Sequence, residues 1–185
     1  MKILPVLLTV TLLTLNTLAA SIDIIGGTLL HQVDPTLQGA GIPVAQAEAD
    51  NTSTPNSFEV DPAGVGQPQS LFTWISTLGT ATVFPNTVGS FSSHAEFVAN
   101  EFYGFTNGVA NQVSHVYNYS SDYFYNQIIV NSTPISALVV NQSFIFDNAD
   151  GSHLPTNQEK MIDVQYDDFA VKYGVLFVSG AGNGG

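Results

Sequence analysis

Apolar and polar positions along this chain switch between two periods, and the changeovers mark out alternating strands and helices. Gly39 to Ala49 reads as a turn followed by a strand that ends on an acid, Glu48. Asp50 to Gln69 is a polar loop rich in Pro and Asn. From Pro68 to Leu78 the residues Leu71, Trp74, Ile75 and Leu78 share one helical face, with Pro68 near the start, so the spacing predicts a helix. A short strand follows over Ala81 to Phe84. Ser92-Ser93-His94 then opens a second helical pattern that runs through Phe97, Val98 and Phe102 to Gly104, with Ser92 or Ser93 as N-cap. Gly108 to Tyr119 reads as a turn into a strand, and Asp122 to Val130 as helical. Ile135 to Phe146 is a strand whose buried part is Ala137 to Val140, and Asp147 to Pro155 is a loop. Thr156 to Tyr173 reads as a helix with a capping box formed by Thr156 and Glu159, an apolar face of Met161, Ile162, Phe169 and Val171, and Gly174 at its end. Val175 to Val178 is a short apolar run, read as a buried parallel strand, that breaks into a Gly-rich turn carrying Asn183. Strands alternating with helices predict an α/β fold: three layers, a mostly parallel sheet with flanking helices.

Composition narrows the class. The chain has 185 residues, is 44% hydrophobic and carries twelve Phe and seven Tyr, enough for a core. Its only strong bases are Lys2, Lys160 and Lys172, against fifteen Asp and Glu, for a net charge of −12. Such a surface repels phosphate backbones and excludes nucleic acid as a partner. Met1-Lys2 followed by the apolar Ile3 to Leu18, with small residues before Ser21, reads as a signal peptide over residues 1–20. The run is too short and too rich in Thr for a membrane anchor, so the expectation is a secreted, periplasmic or cell-surface protein without stable membrane association. Residues 21–38 form a lead-in and 39–185 the domain. The chain has no cysteine, so no disulfide framework supports it.

Three polar residues fall at strand ends or helix starts, where α/β proteins place their chemistry: Glu48, His94 and Asn183. A carboxylate can orient an imidazole, the imidazole can activate a hydroxyl, and an Asn side chain can donate to a developing oxyanion. From Gly39 onward the chain resembles the subtilisin-like serine peptidases. Gly39-Ala-Gly-Ile-Pro-Val-Ala-Gln-Ala-Glu48 is similar to the family strand G-x-G-V-x-V-A-V-I-D. Ser93-His-Ala-Glu-Phe-Val-Ala99 resembles the histidine motif H-G-T-x-V-A-G, with Gly108-Val-Ala110 similar to the G-V-A-P turn after it. Val139-Val-Asn-Gln-Ser-Phe144 is similar to V-I-N-M-S-L, and Val175 to Gly184 resembles the strand leading to A-A-G-N-x-G. The resemblance implies His94 as general base, Glu48 in place of the family Asp, Asn183 as oxyanion donor, and Ser143, Phe144 and Ile145 lining a cleft for a polypeptide substrate held by strand addition.

Departures accompany the resemblance. A Glu in the acid's place occurs in the related acid-acting sedolisins, which bears on operating pH, and Asp50, two residues on, is a second possible partner for the histidine. Ala95 and Glu96 replace Gly-Thr, Asn100 replaces a Gly, and Asn111 stands at the family's Pro. No serine in the chain has the context of the G-T-S-x-x-x-P nucleophile, and Ser93 is explained as a helix cap. The expectation is therefore the N-terminal part of an exported serine endopeptidase, inactive alone. A different class remains beside it: a non-catalytic exported α/β module for binding or display. A contact between Glu48 and His94 within hydrogen-bond reach separates the two. His31, His115 and His153 lack comparable context and show no zinc spacing. No cofactor is required by the mechanism; Asp147 and Asp150 form a calcium-type loop with little charge.

Overall fold

The computed structural model describes residues 21–50, 54–148 and 152–180. Two short helices, α1 (Ser21–Ile24) and α2 (Gly27–Val33), lead in, and α2 reaches the body through His31 Nε2, 3.0 Å from the Val109 carbonyl. The chain then builds β1 (Pro43–Glu48), β2 (Ser57–Glu59), β3 (Phe72–Ser76), β4 (Gly79–Ala81), β5 (Ser90–Phe91), α3 (Ser93–Phe102) and β6 (His115–Ser120). A helical turn, α4 (Ser121–Tyr123), continues into a π-helical segment at Phe124–Ile129, followed by β7 (Val139–Gln142), α5 (Thr156–Tyr173) and β8 (Leu176–Ser179). Six strands form one sheet in the order β4-β3-β6-β1-β7-β8, and every neighbour pair is parallel except β3–β4. Strands β2 and β5 pair separately. The fold is α/β with a mostly parallel sheet and flanking helices.

Side-chain alternation on β1 decides what each face holds. Val44 packs with Phe58, Phe72, Trp74, Ala95, Ala99 and Val116 beneath α3, while Ala45 and Ala47 pack with Tyr119, Phe124, Val140 and Phe169 beneath the π-helical segment and α5. Gln46 and Glu48 share the Val44 side, so the strand turns two polar side chains toward α3, and both are fully buried.

The connections between parallel strands differ in hand. The chain moves from β1 outward to β3 across the α3 face, then from β3 back to β6 across that same face, by way of α3 itself. It moves on from β6 to β7 and from β7 to β8 across the opposite face, through the π-helical segment and α5. Reversing both direction and face preserves hand, so the β1–β3, β6–β7 and β7–β8 crossovers agree. The β3–β6 crossover has the opposite hand, a departure from a rule that parallel crossovers obey almost without exception. With the usual hand, α3 would lie on the α5 face, away from Gln46 and Glu48.

Several sequence expectations need correction. The helix expected over Pro68 to Leu78 is a 3-10 turn, Gln69–Leu71, followed by strand β3. Phe72, Trp74 and Ser76 are buried at alternate positions, and Trp74 and Ile75 point to opposite faces. The apolar spacing mimicked a helical face because β3 is covered on both sides. The strand expected at Ala81 to Phe84 is the hairpin partner β4, ending at Ala81. Strand pairing in the Ile135 to Phe146 segment covers only Val139–Gln142. Helix α5 begins at Thr156, one residue too early for its hydroxyl to cap it; Pro155 holds the N-cap position and no capping box forms. Its inward face is the buried Phe169 with the half-buried Ile162, Tyr166 and Tyr173, whereas Met161 is exposed and Val171 is 87% exposed. Strand β8 is parallel as expected but forms the sheet's edge among the described residues, leaving Leu176 61% and Val178 50% exposed. Gly174 ends α5 in the left-handed conformation, as its position implied. No helix among the described residues is long and apolar enough to cross a membrane, and residues 1–20 lie outside them.

The strand at β3 yields a direct test. Trp74→Ala should cost about 3–5 kcal/mol in denaturant unfolding, while Leu78→Ala, 61% exposed, should stay within about 0.5 kcal/mol. Comparable losses at both positions would restore the helix.

Candidate active site

Glu48 is the last residue of β1, flanked by parallel neighbours β6 and β7. The chain leaves β1 toward one side of the sheet and later arrives at β7 on the other. The crevice outside the carboxyl end of β1 is thus the topological switch point, where open α/β sheets hold ligands. α3 begins there. Ser92 is the N-cap, its hydroxyl accepting from the Ala95 backbone N–H at 3.2 Å, and His94 is the second helical residue. The helix presses Ala95 and Ala99 onto the sheet, packs Phe102 on the same core at its C-terminal end, and leaves Phe97 in solvent.

The result brings two of the expected residues together. His94 Nδ1 lies 2.9 Å from Glu48 Oε2, with the imidazole 59% exposed and the carboxylate buried. The other carboxylate oxygen, Oε1, accepts from Gln46 Nε2 at 2.7 Å. Gln46 Nε2 also donates to the Ala95 carbonyl at 2.8 Å, and Gln46 Oε1 accepts from the Tyr103 hydroxyl. Burial pushes the Glu48 carboxyl above its ordinary range, and the hydrogen bonds from Gln46 and His94 and the imidazole charge pull it part of the way back. Burial, reinforced by the Glu48 charge, holds the Tyr103 phenol protonated far above its ordinary value. An ionised Glu48 makes Nδ1 the protonated nitrogen of a neutral imidazole and leaves the Nε2 lone pair on the exposed side of the ring. That arrangement suits a general base. Beside His94 lies a hollow of about 370 Å³ lined by Ala49, Asp50, Thr54, Ser57, Phe91, Ser92 and Ser93.

The remaining expected residues lie elsewhere. Asp50, the alternative acid, accepts from the Asn56 backbone N–H at 2.7 Å and braces its loop, while Glu48 holds the histidine. Ser143 follows β7 and donates to Asn141 Oδ1 at 3.1 Å. Phe144 and Ile145 line a second cleft, about 860 Å³, walled by Ile162 and Tyr166 of α5 and by Phe177 and Gly180. That cleft opens at the carboxyl ends of β7 and β8, beneath α5, separate from the hollow at His94. Asn183 and Asp150 lie outside the described residues. Asp147 sits 3.4 Å from His153 Nδ1, and no cluster of three or more metal-binding side chains occurs among the described residues.

Gln46, Tyr103 and Asn118 carry the site's support and escaped the sequence reading. The available signal was a polar residue two positions before Glu48 in an otherwise apolar strand, which period-two alternation places on the carboxylate's own face. Asn118 joins three strands, accepting from the Val60 N–H at 2.9 Å and donating to the carbonyls of Phe58 and Gln46. Glu59 was also unsuspected: it is buried, and its Oε1 has no partner. No protein-family model matches the chain, and no curated protein matches its sequence.

Two titrations follow. Burial pushes the Glu59 carboxyl from 4.5 to about 7, so the folded state binds that proton more tightly than the unfolded chain. Its contribution is fully present below pH 4.5 and declines as pH rises toward 7. Glu59→Gln should flatten the loss of stability across this window by up to about 3 kcal/mol in urea unfolding; an unchanged slope would show that Glu59 does not titrate there. At the dyad, His94→Ala removes a donor and a positive charge, both of which hold the Glu48 carboxyl down. Carbon-13 NMR should then find Glu48 titrating at higher pH than in the parent protein. A fall would contradict the contact.

Proposed function

We propose that this chain is the N-terminal part of the catalytic domain of an exported, subtilisin-like serine endopeptidase. The observation that carries the reading is the 2.9 Å contact between His94 Nδ1 and Glu48 Oε2 at the carboxyl end of the central strand. Support comes also from the order acid, histidine, oxyanion Asn along the sequence, and from the mostly parallel sheet. In this mechanism a serine hydroxyl supplied by chain beyond Gly185 attacks the peptide carbonyl. His94 Nε2 takes the hydroxyl proton and returns it to the leaving amine. Glu48 holds the ring and stabilises the imidazolium, and Asn183 donates to the oxyanion. The family resemblance, not a contact with His94, assigns Ser143, Phe144 and Ile145 to receiving the substrate backbone as an added strand. The chemistry needs no metal or organic cofactor, and the leader directs the protein out of the cytoplasm.

The test uses the full-length gene product. It should take up a fluorophosphonate probe on a serine C-terminal to Gly185, and His94→Ala should abolish labelling and lower kcat on a peptide substrate by about 10⁴-fold or more. A folded full-length protein that takes no label and cleaves no peptide would sink the reading and leave the binding module.

A further inference from the structure

We propose that Gln46 and Tyr103 are positioning residues that fix Glu48 and His94 relative to one another, an inference whose catalytic meaning rests on the peptidase reading. Gln46 is fully buried, and both amide N–H groups and the amide oxygen have partners. Its nitrogen donates to Glu48 Oε1 at 2.7 Å and to the Ala95 carbonyl at 2.8 Å, and its oxygen accepts from Tyr103. The orientation is forced, because a flipped amide would set its oxygen against both a carboxylate and a carbonyl. Ala95 is the residue after His94, so a single amide grips the carboxylate and the helical turn that carries the imidazole. Tyr103, at the other end of α3, locks that amide, tying the helix to β1 at both ends.

The chemistry follows from the same bonds. A carboxylate buried at the end of β1 needs donors to remain charged. Glu48 has His94 on one oxygen and Gln46 on the other. Both flanking strands bring neutral residues alongside this end of β1: Ser120 of β6 and Gln142 of β7. The titratable groups facing Glu48 are His94 and Tyr103, both from the α3 segment, and the phenol stays neutral. Among the described residues, Gln46 is thus an uncharged side chain that both stabilises the ionised acid and sets its distance from the base.

The test reads the dyad directly, without requiring catalysis. In Gln46→Leu the carbon-13 titration of Glu48 should move up by about one pH unit, and the Nδ1 proton signal of His94 should disappear at correspondingly higher pH on acidification. Tyr103→Phe removes only the hydroxyl and should shift both readouts in the same direction by less. If Gln46→Leu does not fold, Tyr103→Phe decides the matter. A role in packing alone would lower stability and leave the titration in place; unchanged midpoints in a folded variant therefore overturn the proposal. If the midpoints move but the full-length protein takes no fluorophosphonate, the peptidase reading fails and the positioning role stands.

Discussion

A carboxylate buried at the end of a central parallel strand can stay charged only if donors reach it, and that requirement governs the arrangement around β1. Glu48 is out of reach of solvent, so its two oxygens must be satisfied from within the protein. One donor comes from its own strand, two residues back, and the other from a helix laid across the same face. Pleating puts the first in place automatically. The second depends on the path of the chain between β3 and β6, whose unusual hand lays α3 on the Glu48 face. An α3 on the opposite face would leave Glu48 with Gln46 alone and would take the Ala95 and Tyr103 partners from Gln46.

The helix is shaped for this duty. Its buried contact residues are alanines, its N-cap serine fixes where the first turn begins, and its larger side chain Phe97 faces outward. Hydrogen bonds reach the sheet from both its ends, and at the C-terminal end the buried Tyr103 ring and Phe102 add apolar packing. The exposed imidazole and the buried acid also divide the labour physically: one meets solvent or substrate, the other sets charge and orientation from a low-dielectric position.

Much of this was legible in the residues. The strand ending on Glu48, a serine cap at position 92 or 93 and the glycine ending α5 are local signals, written in capping and turn chemistry that acts over a few residues; the structure gives the cap to Ser92 and makes Ser93 the first helical residue. The contact between Glu48 and His94 was legible through their order and their place at element ends. The failures share a cause. At β3 a strand covered on both sides loses its alternation, and Trp74 next to Ile75 imitates a helical stripe. At β8 an apolar run implied burial, whereas edge position depends on neighbours that no local pattern encodes. The spacing of Gln46 from Glu48 places it on the carboxylate's face, but its other partners, Ala95 and Tyr103, lie 49 and 57 residues along the chain, where no local pattern reaches.

The alanines of α3 have a consequence for how this site can change over time. The gap between helix and sheet is set by the thickness of two methyl groups, and the imidazole rides on the helix. Position 95 is therefore a spacer: a bulkier side chain there lifts the base away from the acid without touching either. On the proposed peptidase reading, a displacement of about 1 Å would cost on the order of a hundredfold in rate, so position 95 would tolerate only side chains that add almost no volume.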